Sequence, residues 1–153
     1  MYEYLRDKLD GFITFTDLDA PPSVDQVCRT PMSSNKPELV IIDDYSSDKL
    51  LQKNLFSHYF TRGCHFKLST FFLSHSYFAT DNMIILNAEY VSILKANSKR
   101  DLVMVVKDFN IPGADERSIV YYYNKATESK LFVDSVKGQL RYSFDRPITI
   151  LSE

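Results

Sequence analysis

The chain has 153 residues with 18 basic and 20 acidic side chains, a net charge of −2. That balance excludes holding a polyanion by bulk basicity, so any nucleic-acid contact needs a local patch. A hydrophobic content of 44%, with 10 Tyr and 11 Phe, predicts one folded domain rather than a disordered chain. The four glycines, Gly11, Gly63, Gly113 and Gly138, lie far apart. The phosphate-cradling loop, the dinucleotide fingerprint and the G-x-S-x-G elbow all need closely spaced glycines, and none is present.

Met1 to Lys8 has no apolar core of a targeting signal, and no uncharged run reaches membrane-spanning length. Cys28 and Cys64 read as free buried thiols of an intracellular protein rather than as a disulfide. Residues 1–37 read as irregular: a short apolar stretch from Gly11 to Thr16, a loop from Asp19 to Asp25, and a second loop between Pro31 and Pro37. Glu38-Leu-Val-Ile-Ile-Asp-Asp is apolar on both faces, the pattern of a strand buried inside a parallel sheet. Ser46 or Ser47 is placed to cap a helix with Asp48 in its first turn. Leu51, Leu55, Phe56, Tyr59 and Phe60 follow at helical spacing, ended by Thr61-Arg-Gly63.

Leu68 to Ser74 is a second strand of the buried type. Met83-Ile-Ile-Leu and Tyr90 to Lys95 are predicted as short strands either side of Asn87. Lys99 to Phe109 predicts a helix with Leu102, Val105, Val106 and Phe109 on one face, broken by Pro112-Gly113. Asp115 to Thr127 predicts another helix. Leu131-Phe-Val-Asp and Gln139 to Phe144, turning around Gly138, predict a hairpin. The alternation gives an α/β fold with a mostly parallel sheet, flanking helices and a C-terminal hairpin.

The sharpest chemical signal is Asp43-Asp44 at the end of that first aliphatic strand. In α/β sheets ligands sit at the carboxyl ends of strands. A carboxylate there can hold magnesium, and its neighbour can orient an attacking water. This is the chemistry of a Walker B strand; the plain alternative is an ordinary strand followed by a turn. Other candidates are weaker. Ser74-His75-Ser76 with Asp81 has triad composition, but successive strand residues face opposite ways. Cys64 and His65, with His58 and His75, lack zinc-ligand spacing. Arg62, Lys95, Lys99, Arg100 and Lys107 are basic, but Asp101 and Asp108 interleave with them, as on a solvated face. Tyr121-Tyr122-Tyr123 offers stacking rings, yet three successive helical residues cannot share one face.

In order, the phrases "ELVIIDD", "LFSHYFTRGCH", "KLSTFFLSHSYF" and "IILNAEYVSILKANSKRD" resemble the double-stranded DNA packaging ATPases of the FtsK/HerA superfamily. The nearest forms are those of large DNA viruses of the poxvirus type, polinton-like elements and virophages. The resemblance spans roughly residues 36–145 and implies a partial RecA-like fold, with 38–145 as the half that contains Walker B. It implies Asp43 as the magnesium ligand and Asp44 at the position of the water-activating glutamate. It also implies His75 at the sensor position, normally glutamine, and Arg62 as the arginine of the "TRG" phrase, acting across a subunit interface. Mg2+ and ATP are the implied cofactors. Double-stranded DNA, viral capsid or portal-like proteins and further ATPase subunits are the implied partners, in an infected cell or virion and without a membrane.

The chain departs from that pattern in having no Walker A loop, in His75 for glutamine and in Asp44 for glutamate. It therefore reads as the C-terminal half of a packaging motor, inactive alone: a fragment, a degraded copy, or a subunit completed by a partner. The rival is a non-catalytic interaction or oligomerisation module that keeps the fold; the third reading is an unrelated α/β domain. A half-domain lacking the P-loop strand and its helix is expected to bare one edge and part of one face of its sheet.

Overall fold

The computed structural model describes residues 4, 7–9, 13–16, 20–28, 37–94, 99–126, 130–142 and 144–150. In chain order these contain α1 (Val24–Cys28), β1 (Glu38–Asp43), α2 (Lys49–Leu51), a π-helical turn (Gln52–Phe56), α3 (Ser57–Arg62) and a 3₁₀ turn (Gly63–Phe66). There follow β2 (Leu68–Leu73), α4 (Asn82–Leu86), β3 (Tyr90–Ile93), α5 (Lys99–Phe109), α6 (Glu116–Lys125), β4 (Leu131–Asp134) and β5 (Gln139–Arg141).

The chain is mixed α/β, but its strands form two sheets rather than one mostly parallel sheet. β1 and β2 pair in parallel, from Glu38 with Leu68 to Asp43 with Leu73. β3, β4 and β5 form an antiparallel sheet in that order, with Tyr90 opposite Asp134 and Val133 opposite Leu140. The difference begins at Met83-Ile-Ile-Leu, expected as a strand and found as α4. Asp81 caps it, its carboxylate accepting from the Met83 amide at 2.9 Å, and the adjacent Ile84 and Ile85 are both buried. Among the described residues no strand then extends the parallel pair, and β3 joins the C-terminal hairpin instead.

The crossover between β1 and β2 is one continuous run of helical turns. Its cap is Asp48, whose side chain accepts from the Leu51 amide at 2.9 Å, not Ser46 or Ser47. Phe56 and Tyr59 bury against Ile42, Leu68, Ile84 and Val24 to make the first core. Tyr45 meets Phe56 edge-on at 4.7 Å between ring centroids. The stretch from Asp19 to Asp25, expected as a loop, holds the start of α1. Ser23 and Gln26 make reciprocal backbone contacts, at 2.7 Å from the Ser23 amide to Gln26 Oε1 and 3.4 Å from the Gln26 amide to Ser23 Oγ. Tyr59 ties this segment down by donating to the Pro22 carbonyl at 2.5 Å. The Pro31–Lys36 loop and the Gly11–Phe12 start of the apolar stretch lie outside the described residues.

The second core is drier. Ile119, Leu131, Val133 and Leu140 have no exposed surface, and Leu102, Val105, Ile111, Ala126 and Ile148 close around them. α5 has the expected bounds. α6 is set by Asp115, which accepts from the Ser118 amide at 2.6 Å while Ser118 Oγ accepts from the Asp115 amide at 2.9 Å. The predicted hairpin forms as β4–β5. Its turn ends at Gly138 with φ of 60°, and the Lys137 amide donates to Asp134 Oδ1 at 2.9 Å. Asp134, 1% exposed, is paired with Arg141 at 2.8 Å.

Candidate strand-end site

Parallel, in-register pairing brings the carboxyl ends of β1 and β2 side by side. Asp43 is opposite Leu73, so Asp43-Asp44 and Ser74-His75 leave the sheet together. Asp44 turns the chain in the left-handed region, with φ of 61°, a conformation that Asp tolerates better than most residues. His75 Nε2 lies 3.9 Å from Asp44 Oδ1; both side chains are open to solvent, at 88% and 73% exposure. The pair brings together two positions that the sequence separates by a whole helix. Held in water, it contributes little to stability itself.

Asp43 has a different outlook. Along β1 the buried or half-buried positions are Glu38, Val40 and Ile42, so Asp43 shares its face with Leu39 and Ile41. β2 matches it, with Ser69, Phe71 and Leu73 on that face. Leu39, Ile41, Phe71 and Leu73 are 54%, 60%, 55% and 48% exposed. The face that carries Asp43 is therefore apolar and open. β1 does not have the two covered faces that its aliphatic run predicts; one is packed on Phe56 and Phe72 and the other is bare.

Arg62 is not part of this cluster within one chain. It ends α3, which returns to the amino end of β2, while the site lies at the carboxyl end. The six residues of the strand put about 16 Å of sheet between the two ends. Among the other candidates, Ser74 Oγ is engaged with Ser76, donating to its carbonyl at 2.8 Å, and the Asp81 carboxylate caps α4, so no triad forms. No group of three or more His, Cys, Asp or Glu side chains among the described residues is placed to hold a metal ion. The basic residues are dispersed: Lys107 pairs with Glu116 at 2.9 Å, Arg100 lies 5.2 Å over the Phe78 ring, and Lys95 is outside the described residues. Of the three successive tyrosines, Tyr122 and Tyr123 pack on the second core and Tyr121 is 59% exposed.

Gln52 is the residue that the sequence does not flag. It is fully buried and spans the two loops that follow β1 and β2. Its Nε2 donates to the Tyr45 carbonyl at 2.9 Å, the Ser46 carbonyl at 3.2 Å and the Ala79 carbonyl at 3.0 Å; its Oε1 accepts from the Asp81 amide at 2.7 Å. A polar residue inside the apolar repeat Leu51, Leu55, Phe56 was the only hint of it.

A hollow of about 170 Å³ lies between α5 and α6, lined by Val103, Lys107, Ala114, Asp115 and Glu116. It is smaller than the usual ligand pocket of about 300 Å³ and upward, and none of Asp43, Asp44 and His75 lines it. No helix among the described residues is long and apolar enough to cross a membrane. Comparison with protein-family models, with curated proteins and with solved structures gives no match.

Proposed function

We propose that residues 38–94 are the magnesium-side half of a nucleotide-binding unit of the DNA-packaging ATPase type, with the phosphate loop supplied from outside these 153 residues. The observation that carries this reading is the side-by-side exit of Asp43-Asp44 and His75 from two parallel strands. Two adjacent carboxylates, with no group of three metal-ligating side chains among the described residues, suit magnesium, which takes one or two carboxylates and completes its shell with water and phosphate oxygens. They do not suit a metal caged by protein alone. Magnesium held there would offset charge developing on transferred phosphate. Asp43 is the ligand in this reading, Asp44 orients a water, and His75 hydrogen-bonds the terminal phosphate. Arg62, at the far end of the sheet, serves a neighbouring subunit's site.

The test is manganese, as a paramagnetic stand-in for magnesium, titrated into isotope-labelled protein. Amide signals of Asp43, Asp44 and His75 should broaden first, and Asp43→Asn should abolish the effect. Broadening centred elsewhere, or none at millimolar metal, overturns the assignment. The chain alone should hydrolyse no ATP above buffer; turnover that Asp43→Ala removes would overturn the need for an outside loop.

The bare face of the β1–β2 pair favours a second reading, an interaction module without catalysis. Parallel sheets occur almost only with both faces covered, and here four large apolar side chains are open to water. Self-association at micromolar concentration that Phe71→Lys relieves, with no manganese effect at Asp43, would favour this second reading over the first.

A further inference from the structure

We propose that Gln52 is the positioning residue of the strand-end site, fixing the loop after β1 against the loop after β2 so that Asp44 and His75 stay together; this rests on the reading of those strand ends as the site. A buried glutamine must have its amide satisfied, and filling the same space with Leu or Met would need no such partners. Here the amide has four contacts, all on backbone and all in the two site-bearing loops. With two N–H groups for three carbonyls, one N–H is shared between two of them. The nitrogen faces only acceptors and the oxygen faces a donor, so the orientation of the amide is set by its surroundings.

The grip reaches each half of the pair by a short path. On the β1 side, Tyr45 and Ser46 directly follow Asp44, whose left-handed backbone is held by the hold on its neighbours. On the β2 side, the turn after His75 is bonded within itself. Ser76 accepts from the Ala79 amide at 3.2 Å and from Thr80 Oγ1 at 3.2 Å, while Ser74 Oγ accepts from the Ser76 amide at 3.3 Å. Holding the Ala79 carbonyl and the Asp81 amide therefore holds the turn that carries His75. Gln52 also opens the π-helical turn, a wider winding that recurs at functional sites.

The test compares wild type with Gln52→Met, which keeps length and volume but forms none of the four bonds, and with Ile84→Val, which loosens the same core without touching the clamp. In wild type, proton cross-peaks link the His75 ring to Asp44, and manganese broadens the amides at 43–44 and 74–76 together. Gln52→Met should lose the cross-peaks and the broadening at 74–76 while keeping that at 43–44; Ile84→Val should keep all of them. Unchanged cross-peaks in Gln52→Met overturn the proposal. If manganese leaves the wild-type strand ends untouched, the magnesium reading falls, and the cross-peaks alone still judge the positioning role. Should Gln52→Met fail to fold, the wild-type side-chain amide decides. Its two hydrogens should be distinct and slow to exchange, and fast exchange overturns the clamp.

Discussion

The two sheets of this chain solve the same burial problem to different degrees. In the antiparallel sheet the central strand β4 is buried at all four positions, with helices α5 and α6 on one side and the returning segment around Ile148 closing the edge, its amide donating to the Leu140 carbonyl at 2.8 Å. Phe144 covers Phe132 at 4.2 Å between ring centroids. In the parallel sheet only one face is packed, and Leu39, Ile41, Phe71 and Leu73 remain open. The complete half carries its polar groups as a closed pair, Asp134 with Arg141; the incomplete half carries its carboxylates at an open end. A finished core stabilises; an unfinished one leaves surface for chemistry or for a partner.

The largest effect should come from the closed half. Arg141→Met leaves the Asp134 carboxylate buried without its cation and should cost about 3–5 kcal/mol in urea unfolding. A loss near zero would mean that the hairpin opens to water and that the two halves differ little in closure.

Neighbouring isoleucines then test the half-covered sheet. Ile42, 5% exposed, should cost about 2–4 kcal/mol when changed to Ala, whereas Ile41, 60% exposed, should stay within about 0.5 kcal/mol. Equal losses in chemical denaturation would show that the bare face is covered in solution, by a second copy or by another part of the chain.

A smaller effect belongs to the link between the halves. Tyr77, in the turn after β2, donates to Asp108 Oδ2 on α5 at 2.8 Å. Tyr77→Phe should cost about 1 kcal/mol. Burial, then the bond to Asp108 and its negative charge, raise the Tyr77 phenol above its ordinary 10.0. A raised value means that its contribution is complete below pH 10 and is lost as pH rises beyond it. Wild-type stability should therefore fall above pH 10 more steeply than that of Tyr77→Phe; parallel curves would break the assignment.

The mildest effect is at the α6 cap. The Ser118 backbone amide, then its hydroxyl, hold the Asp115 carboxyl below its ordinary 3.8. A lowered value gives stability that is present above that ordinary value and lost as pH falls through the folded-state one. Asp115→Ala should thus be less stable than wild type at neutral pH, and the gap should close in acid. A gap independent of pH would assign the cap to shape rather than to charge.

Much of the local structure was legible. β1, β2, β3, the amphipathic helix α5, helix α6 and the hairpin follow from aliphatic runs, helical spacing and a glycine at a turn, all signals carried by neighbouring residues. The strand-end placement of Asp43 and Asp44 was legible for the same reason. Where nearby signals competed, the sequence misled. Met83-Ile-Ile-Leu has strand composition, but the Asp81 cap and burial on the first core make it helical.

By itself, then, the sequence determined most of the strands and helices, though not α1 or α4, and put two carboxylates at a strand's end. Only the tertiary structure decided which strands pair, that Asp44 and His75 come within 3.9 Å, that Arg62 lies at the other end of the sheet and that Gln52 joins two loops. The reason is range. Propensity, capping and periodicity act over a few residues, whereas pairing register and the satisfaction of a buried amide depend on groups 27 and 29 positions away in the chain.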